Sequence, residues 1–228
     1  MGVKGKVALG AVVGVVVIGA VSANTGGSGD GGGSGSGKDS PASAEQKPGG
    51  KKDTGKAQAA EKKAAFEGDG DFQVGADIKP GTYRTTGNSD GMCYWERAKD
   101  ASGETDSLLA NDNVTGTSYV TVKATDKIFK SSDCNDWEAV DPKAKGSPAS
   151  KMAGDGGMFR VGADIAPGTY KSTGNADDSC YWERAKDADH SVDSIVANNN
   201  VNGTAVVTIS ASDAYFKTSG CKDWKKTG

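Results

Sequence analysis

FQVGADIKPGTY, residues 72–83, recurs as FRVGADIAPGTY at residues 159–170. Each copy carries a Pro-Gly pair, Pro80-Gly81 or Pro167-Gly168, which is typical of a type II turn because proline presets φ and glycine accepts a positive φ. We expect a strand to follow each pair. The segment therefore predicts a turn and a strand, twice over.

The repeat extends well beyond this opening. Phe72–Trp137 aligns with Phe159–Trp224 without a gap at a constant offset of 87, and 41 of the 66 pairs are identical. Such self-similarity indicates duplication of a whole folding unit. We therefore divide the chain into a signal peptide or membrane anchor (1–23), a disordered Gly/Ser/Lys-rich linker (24–67), a first β domain (68–137), a second linker (138–157) and a second β domain (158–228).

The pattern of each copy predicts short strands separated by turn residues. CYWER at residues 93–97 recurs at 180–184, and strand alternation places its Cys and Trp on one face and its Tyr and Glu on the other. A further strand follows at residues 118–122. No helical periodicity is present, so the fold class is all-β, with two tandem small sandwich or barrel domains.

The N-terminus has the pattern of an export signal. Lys4 and Lys6 precede an uncharged apolar run over residues 7–23. Cleavage before Asn24 and retention as a membrane anchor both fit a run of this length, and the sequence leaves the two open. Either way we expect the rest of the chain to be extracellular or in the cell envelope, with membrane contact only through this segment.

The segment over residues 24–67 contains one large apolar residue, Phe66. A stretch so poor in apolar side chains cannot offset the entropy of ordering its backbone, so we predict a disordered stalk. The net charge of -3 includes no strongly basic block, which argues against nucleic acid as a partner. The second linker predicts two domains that reorient, unless they pack against each other.

The four cysteines allow three disulfide pairings. If each copy folds alone, the duplication selects Cys93 with Cys134 and Cys180 with Cys221. A structural metal would need a CxxC pair or nearby histidines, and the only histidine is His190. We therefore predict two structural disulfides, no metal and no cofactor.

Candidate binding residues cluster around the predicted disulfides. They are Tyr94, Trp95, Glu96, Arg97 and Trp137 in the first copy and Tyr181, Trp182, Glu183, Arg184 and Trp224 in the second. If the aromatic rings are exposed, they can stack on sugar rings or seat a partner protein. If the tryptophans pack on the disulfides, they are core residues. Both interpretations are open at this point.

The opening segment and the CYWER strand resemble those of uncharacterised exported proteins of Gram-positive bacteria, especially actinobacteria, that carry such modules behind a lipoprotein signal or a membrane anchor. The resemblance covers about 66 residues twice. It implies an envelope location but no activity, so it transfers no functional residues. The chain lacks the cysteine that a lipoprotein signal requires.

No nucleophile motif or pinned carboxylate pair indicates an enzyme. We expect an exported, non-enzymatic binding module that holds a wall glycan or surface protein bivalently through its two copies. The alternative is a structural or protective envelope protein without a specific ligand.

Overall fold

A computed structural model of the chain describes residues 64–141 and 143–228. The apolar run, its cleavage site and most of the first linker lie outside these residues, so the predictions about them stay predictions. In the part of the chain that the structure describes, no helix is long and apolar enough to cross a membrane.

The described residues form eleven strands and two short 3₁₀ turns, at Thr105–Ser107 and Val192–Ser194. The strands of the first repeat are β1 (Gly70–Gln73), β2 (Gly81–Ala98), β3 (Leu108–Val122), β4 (Ile128–Ser132) and β5 (Glu138–Ala139). Those of the second are β6 (Lys151–Met152), β7 (Gly157–Arg160), β8 (Gly168–Ala185), β9 (Ile195–Ile209), β10 (Tyr215–Ser219) and β11 (Trp224–Lys226).

The long strand β2 is the centre of the first repeat. It pairs with β3 along most of its length, with β4 from Tyr94 to Ala98 and with β5 at Tyr83 and Arg84. Strand β1 adds to the far side of β4. All these pairs are antiparallel, and β8 repeats the arrangement with β9, β10 and β11, while β7 pairs with β10.

Strand β2 bends in its middle. Its register with β3 shifts twice between Thr85 and Cys93, where Gly87 has φ of 81°, a value that residues with a Cβ rarely adopt. Core side chains come from both halves of the strand, Tyr83 from one and Trp95 from the other. The two half-sheets therefore close over one core. The prediction of an all-β fold in two tandem repeats is confirmed.

The type II turns predicted at the Pro-Gly pairs do not form. Gly81 and Gly168 are instead the first residues of β2 and β8. The chain turns earlier, at Gly75 with φ of 94°, and the Gln73 N–H donates a hydrogen bond of 2.8 Å to Asp77 Oδ2. The aspartate side chain closes this turn, so the prolines only lead into the strands.

Aromatic side chains build each core. Trp95, Phe129 and Trp137 are fully buried in the first repeat, and the ring of Trp137 meets that of Phe129 edge-on at 5.3 Å. Phe216 and Trp224 repeat this contact in the second repeat at 5.6 Å. Such contacts bury large apolar areas in favourable ring geometry.

Both predicted disulfides are present. Cys93 is bonded to Cys134 and Cys180 to Cys221, each within its own repeat. Each bridge joins the central strand, just after its bend, to the loop before the last tryptophan of the repeat. A cross-link that closes a loop of this length contributes about 4 kcal/mol in the chain-entropy model.

The first domain begins before the predicted boundary at residue 68. Phe66 is 9% exposed, its backbone pairs with Trp137, and its ring centroid lies 4.9 Å from those of Phe72 and Tyr83. Composition placed Phe66 in the stalk because it is the only aromatic residue there. One ring is enough, however, when the repeat that follows leaves a place for it in the core.

The segment predicted as the second linker, residues 138–157, contains strands β5 and β6 and the first residue of β7. It also holds one residue that the first repeat lacks. Gly68 and Gly154 occupy equivalent places, each against the carbonyl of the second cysteine of its repeat, and β1 and β7 begin at Gly70 and Gly157. Gly156 is therefore an insertion in the second repeat.

The two repeats pack against each other within one compact unit. A single parallel bridge joins Thr117 in β3 to Gly157 in β7. Beside it lies a cluster of buried side chains from both repeats, formed by Tyr119, Met158, Ala185, Ala188 and Tyr215. Of the two arrangements that the sequence left open, the structure has the packed one.

Candidate binding surfaces

Three of the four candidate tryptophans lie in the cores. Trp95, Trp137 and Trp224 are fully buried, and each indole N–H donates a hydrogen bond of 2.9–3.0 Å to a hydroxyl of its own repeat. The acceptors are Ser118, Ser131 and Thr218. These rings stabilise the fold, because no ligand reaches them from solvent.

Trp182 differs from the other three. It is partly exposed, whereas its counterpart Trp95 is completely buried. The buried indole nitrogen of Trp182 has no hydrogen-bond partner among the described residues, because Ala205 occupies the position of Ser118. Trp95 is also covered by the ring of His190, 4.7 Å away in a near-perpendicular arrangement.

The two candidate arginines form ion pairs that the sequence analysis missed. The Arg97 guanidinium, 3% exposed, donates to both carboxylate oxygens of Asp126 at 2.7 and 3.1 Å. Arg184 does the same to Asp213 at 2.6 and 2.9 Å. The sequence contained a signal for these pairs, because Asp126 and Asp213 are equivalent residues separated by the repeat offset of 87. Each pair positions its arginine and leaves one guanidinium nitrogen, Nη1, for another partner.

The candidate tyrosines and glutamates lie on the opposite face of the strand, as alternation predicts. The Tyr94 hydroxyl donates to Glu96 Oε2 at 2.5 Å, and the Tyr181 hydroxyl donates to Glu183 Oε2 at 2.6 Å. Burial, followed by the hydrogen bond to Glu183, raises the pKa of Tyr181 to about 12. The same two causes, with Glu96, raise the pKa of Tyr94.

In the first repeat these residues belong to a polar surface that we call the outer face, formed by Asp71, Tyr94, Glu96, Asn111 and Lys130. Glu96 lies directly across from Asn111 on one side and from Lys130 on the other, and Lys130 lies across from Asp71. Charges of alternating sign therefore run across three strands, β1, β4 and β2, and the neutral Asn111 of β3 adjoins them. Asp71, Asn111 and Lys130 were not predicted from the sequence, because only strand pairing brings them together.

A groove of about 320 Å³ adjoins the outer face. Its lining includes the apolar residues Ala98, Leu108 and Ile128 together with the acidic residues Asp100 and Glu104. Hydrogen bonds from Ser102 and then Ser107 lower the pKa of Asp100 to about 2. The groove thus combines apolar walls with acidic groups.

The corresponding surface of the second repeat faces the first repeat. Lys217, the counterpart of Lys130, pairs with Asp112 at 2.7 Å. Met158, the counterpart of Asp71, belongs to the apolar cluster between the repeats. Glu183 is only 9% exposed. The groove here is about 180 Å³, and its lining includes residues of both repeats. The two copies of the predicted site are therefore not equivalent.

The described residues contain no group of three or more His, Cys, Asp or Glu side chains that could hold a metal ion. The expectation that the protein needs neither metal nor cofactor stays a prediction.

The fold and its surfaces define a duplicated, disulfide-linked, all-β domain that presents polar contact surfaces. The family model described as "Rv1352-like extracellular domain" matches residues 64–138 and 150–225, so the chain belongs to that family. Both matched ranges include residues that the sequence analysis assigned to the linkers, Phe66 among them. The matched domains are extracellular by description, which agrees with the predicted location outside the cytoplasm.

Similar proteins come from mycobacteria, and their names state no activity. The chain is 32% identical over 97 residues to "Uncharacterized protein Rv1352" of Mycobacterium tuberculosis (strain ATCC 25618 / H37Rv), an alignment that covers 37% of this chain and 78% of that protein. The same figures apply to "Uncharacterized protein Mb1387" of Mycobacterium bovis (strain ATCC BAA-935 / AF2122/97). No solved structure matches the chain significantly.

Proposed function

We propose that this chain is a non-enzymatic extracellular binding module, and that the outer face of its first repeat holds a wall glycan or a surface protein. The observation that carries the proposal is the different use of one surface in the two repeats. In the second repeat this surface holds the first repeat through Lys217 and Met158. In the first repeat the counterparts of these two residues, Lys130 and Asp71, are exposed and lie beside a groove with apolar and acidic walls.

The chemistry of the outer face suits ligands that carry hydroxyl, amide or amino groups. Tyr94 offers a partly exposed ring, Glu96 and Asp71 accept hydrogen bonds, and Lys130 donates them. Partly exposed aromatic rings beside polar groups are common in recognition surfaces. The proposal includes one such surface, not two acting bivalently, because contacts with the first repeat occupy the second copy.

The test compares matched variants of the full chain in pull-down with purified peptidoglycan, wall polysaccharide and surface proteins. Tyr94→Ala on the free surface should weaken capture about tenfold, since an anchoring aromatic contact contributes more than about 1 kcal/mol. Tyr181→Ala, at the equivalent place against the first repeat, is the control and should leave capture unchanged. Failure of the unaltered chain to bind any of the three materials would refute the proposal.

A structural or protective envelope protein without a specific ligand is the second candidate function. The complete burial of Trp95, Trp137 and Trp224 favours it, because these aromatic residues serve the core. The packing of the two repeats into one unit favours it as well. This alternative predicts no saturable capture of any envelope component, together with high resistance to proteases.

Export through residues 7–23 is part of the proposal. Mass spectrometry of the protein isolated from the medium and from membranes distinguishes its two forms. A chain that begins at Asn24 indicates cleavage, and a chain that retains the apolar run in the membrane fraction indicates an anchor. A chain found only in the cytoplasm would contradict export.

A further inference from the structure

The two repeats touch through unlike surfaces. The first repeat uses the edge of β3 with Trp95 and Arg97, and the second uses residues 188–190 together with its sheet face. A contact between unlike surfaces leaves one copy of each surface unused. The unused copy of the β3 edge is the edge of β9 in the second repeat.

The occupied edge shows what such a surface binds. The backbone N–H of Thr121 donates to the carbonyl of Ala188 at 2.8 Å. Nη1 of Arg97, the nitrogen that its ion pair leaves over, donates to the carbonyl of Asp189 at 2.9 Å. The edge therefore holds two consecutive backbone carbonyls of a bent segment, residues 186–190, in which His190 has a φ of 54°. This backbone contact does not depend on the side chains of that segment.

Side chains of the same segment add selectivity. The His190 ring lies against Trp95, and its Nε2 is 2.7 Å from the carbonyl oxygen of Tyr119, which can only accept, so this nitrogen carries the proton. Lys123 pairs with Asp189 at 2.6 Å. The bound segment is thus two carbonyls followed by a flat ring that donates a hydrogen bond.

The second repeat presents the same groups without an occupant. Among the described residues, neither the Thr208 N–H nor Nη1 of Arg184 has a partner, although Arg184 holds its aspartate in the same way as Arg97. Trp182 is partly exposed, and Val206 is 58% exposed. We call this surface, formed by Trp182, Arg184, Val206 and Thr208, the free edge.

We propose that the free edge binds a peptide segment of a partner protein that bends as residues 186–190 do. Its consecutive carbonyls lie on the Thr208 N–H and on Arg184 Nη1, and a flat, hydrogen-bond-donating side chain lies on Trp182. The carbonyl of Val206 accepts from that side chain, as the Tyr119 carbonyl does from His190. This surface is separate from the outer face of the first repeat, and each is tested independently of the other.

A second copy of the chain does not fit the free edge as well as a foreign peptide. The loop of the first repeat that corresponds to residues 188–190 is Ala101-Ser102-Gly103, which has neither the acid nor the ring. The first repeat also lacks the inserted Gly156, whose carbonyl accepts from the Thr117 N–H at 3.0 Å. Moreover, it carries Asp71 where the interface needs Met158.

The chain itself supplies the probe. The synthetic peptide KDADHSV copies residues 186–192 and carries the segment that the first repeat already holds. Added to the full chain, it should shift the NMR signals of the Trp182 indole and the Thr208 amide saturably and leave those of the first repeat in place. Replacing its histidine by alanine should weaken binding by about fivefold or more, since the ring contact is lost.

Two variants test the geometry. Thr208→Pro removes an edge N–H that points away from β8, so it should abolish saturable binding, and proline is tolerated at sheet edges. Ser210→Lys restores the counterpart of Lys123 and should tighten binding about two- to fivefold, the range of an exposed ion pair. That gain should vanish when asparagine replaces the peptide's second aspartate. Val196→Ser, exposed elsewhere on β9, is the control.

Three results would overturn the proposal. One is the absence of saturable shifts with the unaltered chain, and another is a set of shifts confined to the first repeat. The third is self-association of the chain that Thr208→Pro abolishes, since the occupant would then be a second copy. Ser210→Lys gains affinity only if the edge is bound in the predicted register, so it remains informative if Thr208→Pro fails to fold.

Discussion

A few residues that differ between the repeats determine which of their surfaces pack against each other. His190 stands where the first repeat has Gly103, and Asp189 stands where it has Ser102. Both residues hold the interface, His190 on Trp95 and Asp189 on Lys123. As the only histidine of the sequence, His190 was considered there as a metal ligand. A residue that differs between two copies of one folding unit is better interpreted as a contact that one repeat makes and the other does not.

His190 should make the stability of the molecule depend on pH. Burial lowers the pKa of His190 below its ordinary value of 6.5, and this outweighs the nearby carboxylates of Asp112 and Glu183, which favour the charged ring. The unfolded chain therefore binds a proton more readily than the folded one. The stability that the neutral His190 contributes is therefore fully present above pH 6.5. It is lost as the pH falls from there toward the pKa of His190 in the folded state.

The measurement is the free energy of unfolding by denaturant between pH 7.5 and pH 5. The decrease on acidification should be smaller in His190→Gln, which keeps a donor for the Tyr119 carbonyl but does not titrate. Carboxylates that titrate at lower pH contribute equally to both proteins and cancel in the comparison. Identical profiles for the two proteins would show that His190 does not couple the interface to pH.

Among the strands, the sequence predicted the features that follow from the internal repeat and from the alternation of side chains. The hairpin of β2 and β3, the inward Trp95 and outward Tyr94, and the disulfides all follow from local pattern and duplication. The ends of the domains did not follow, because β5 and β6 are two residues long each and exist only through pairing with distant strands. Composition carries no signal for such pairing. Likewise, the outer face joins residues from four strands whose register no single segment determines.

Phe66 tests the corrected start of the first domain. Phe66→Ala should lower the free energy of unfolding by about 3–5 kcal/mol, because it removes a buried ring from the core. Glu67→Ala, exposed and one residue further on, is the matched control and should change stability by less than about 0.5 kcal/mol. Chemical denaturation of the full chain measures both. Equally small effects of the two substitutions would show that Phe66 is not part of the folded domain.

At the scale of the whole molecule, duplication has produced an asymmetric pair. Each repeat carries an edge surface and a sheet-face surface, and one of each is used within the chain. Repeating the same contact with further copies would build an open array. Asp71, at the place of Met158, and the missing counterpart of Gly156 oppose such growth at the outer face of the first repeat. Among the described residues, one edge surface and one sheet-face surface thus stay outside the contact between the repeats.

Replacing Met158 by aspartate, the residue at the equivalent position 71, should show that Met158 holds the repeats together. Met158→Asp places a carboxylate in the apolar cluster beside Tyr119 and Tyr215, where burying an unpaired charge costs several kcal/mol. The repeats should separate while each keeps its own core and disulfide. Hydrogen exchange of the Thr117 and Thr121 amides, which bond across the interface, should then rise by at least a factor of about ten.

Asp71→Met makes the reverse exchange on the free surface and is the control, because it adds an apolar side chain where no repeat packs. It should leave exchange at Thr117 and Thr121 unchanged, and it should increase self-association of the chain in sedimentation if Asp71 opposes growth of the array. Amide exchange in the interiors of β2 and β8 should stay slow in both variants, which distinguishes separation of the repeats from unfolding. Protection of Thr117 and Thr121 that survives Met158→Asp would mean that the backbone contacts near Gly156 hold the interface without the apolar cluster.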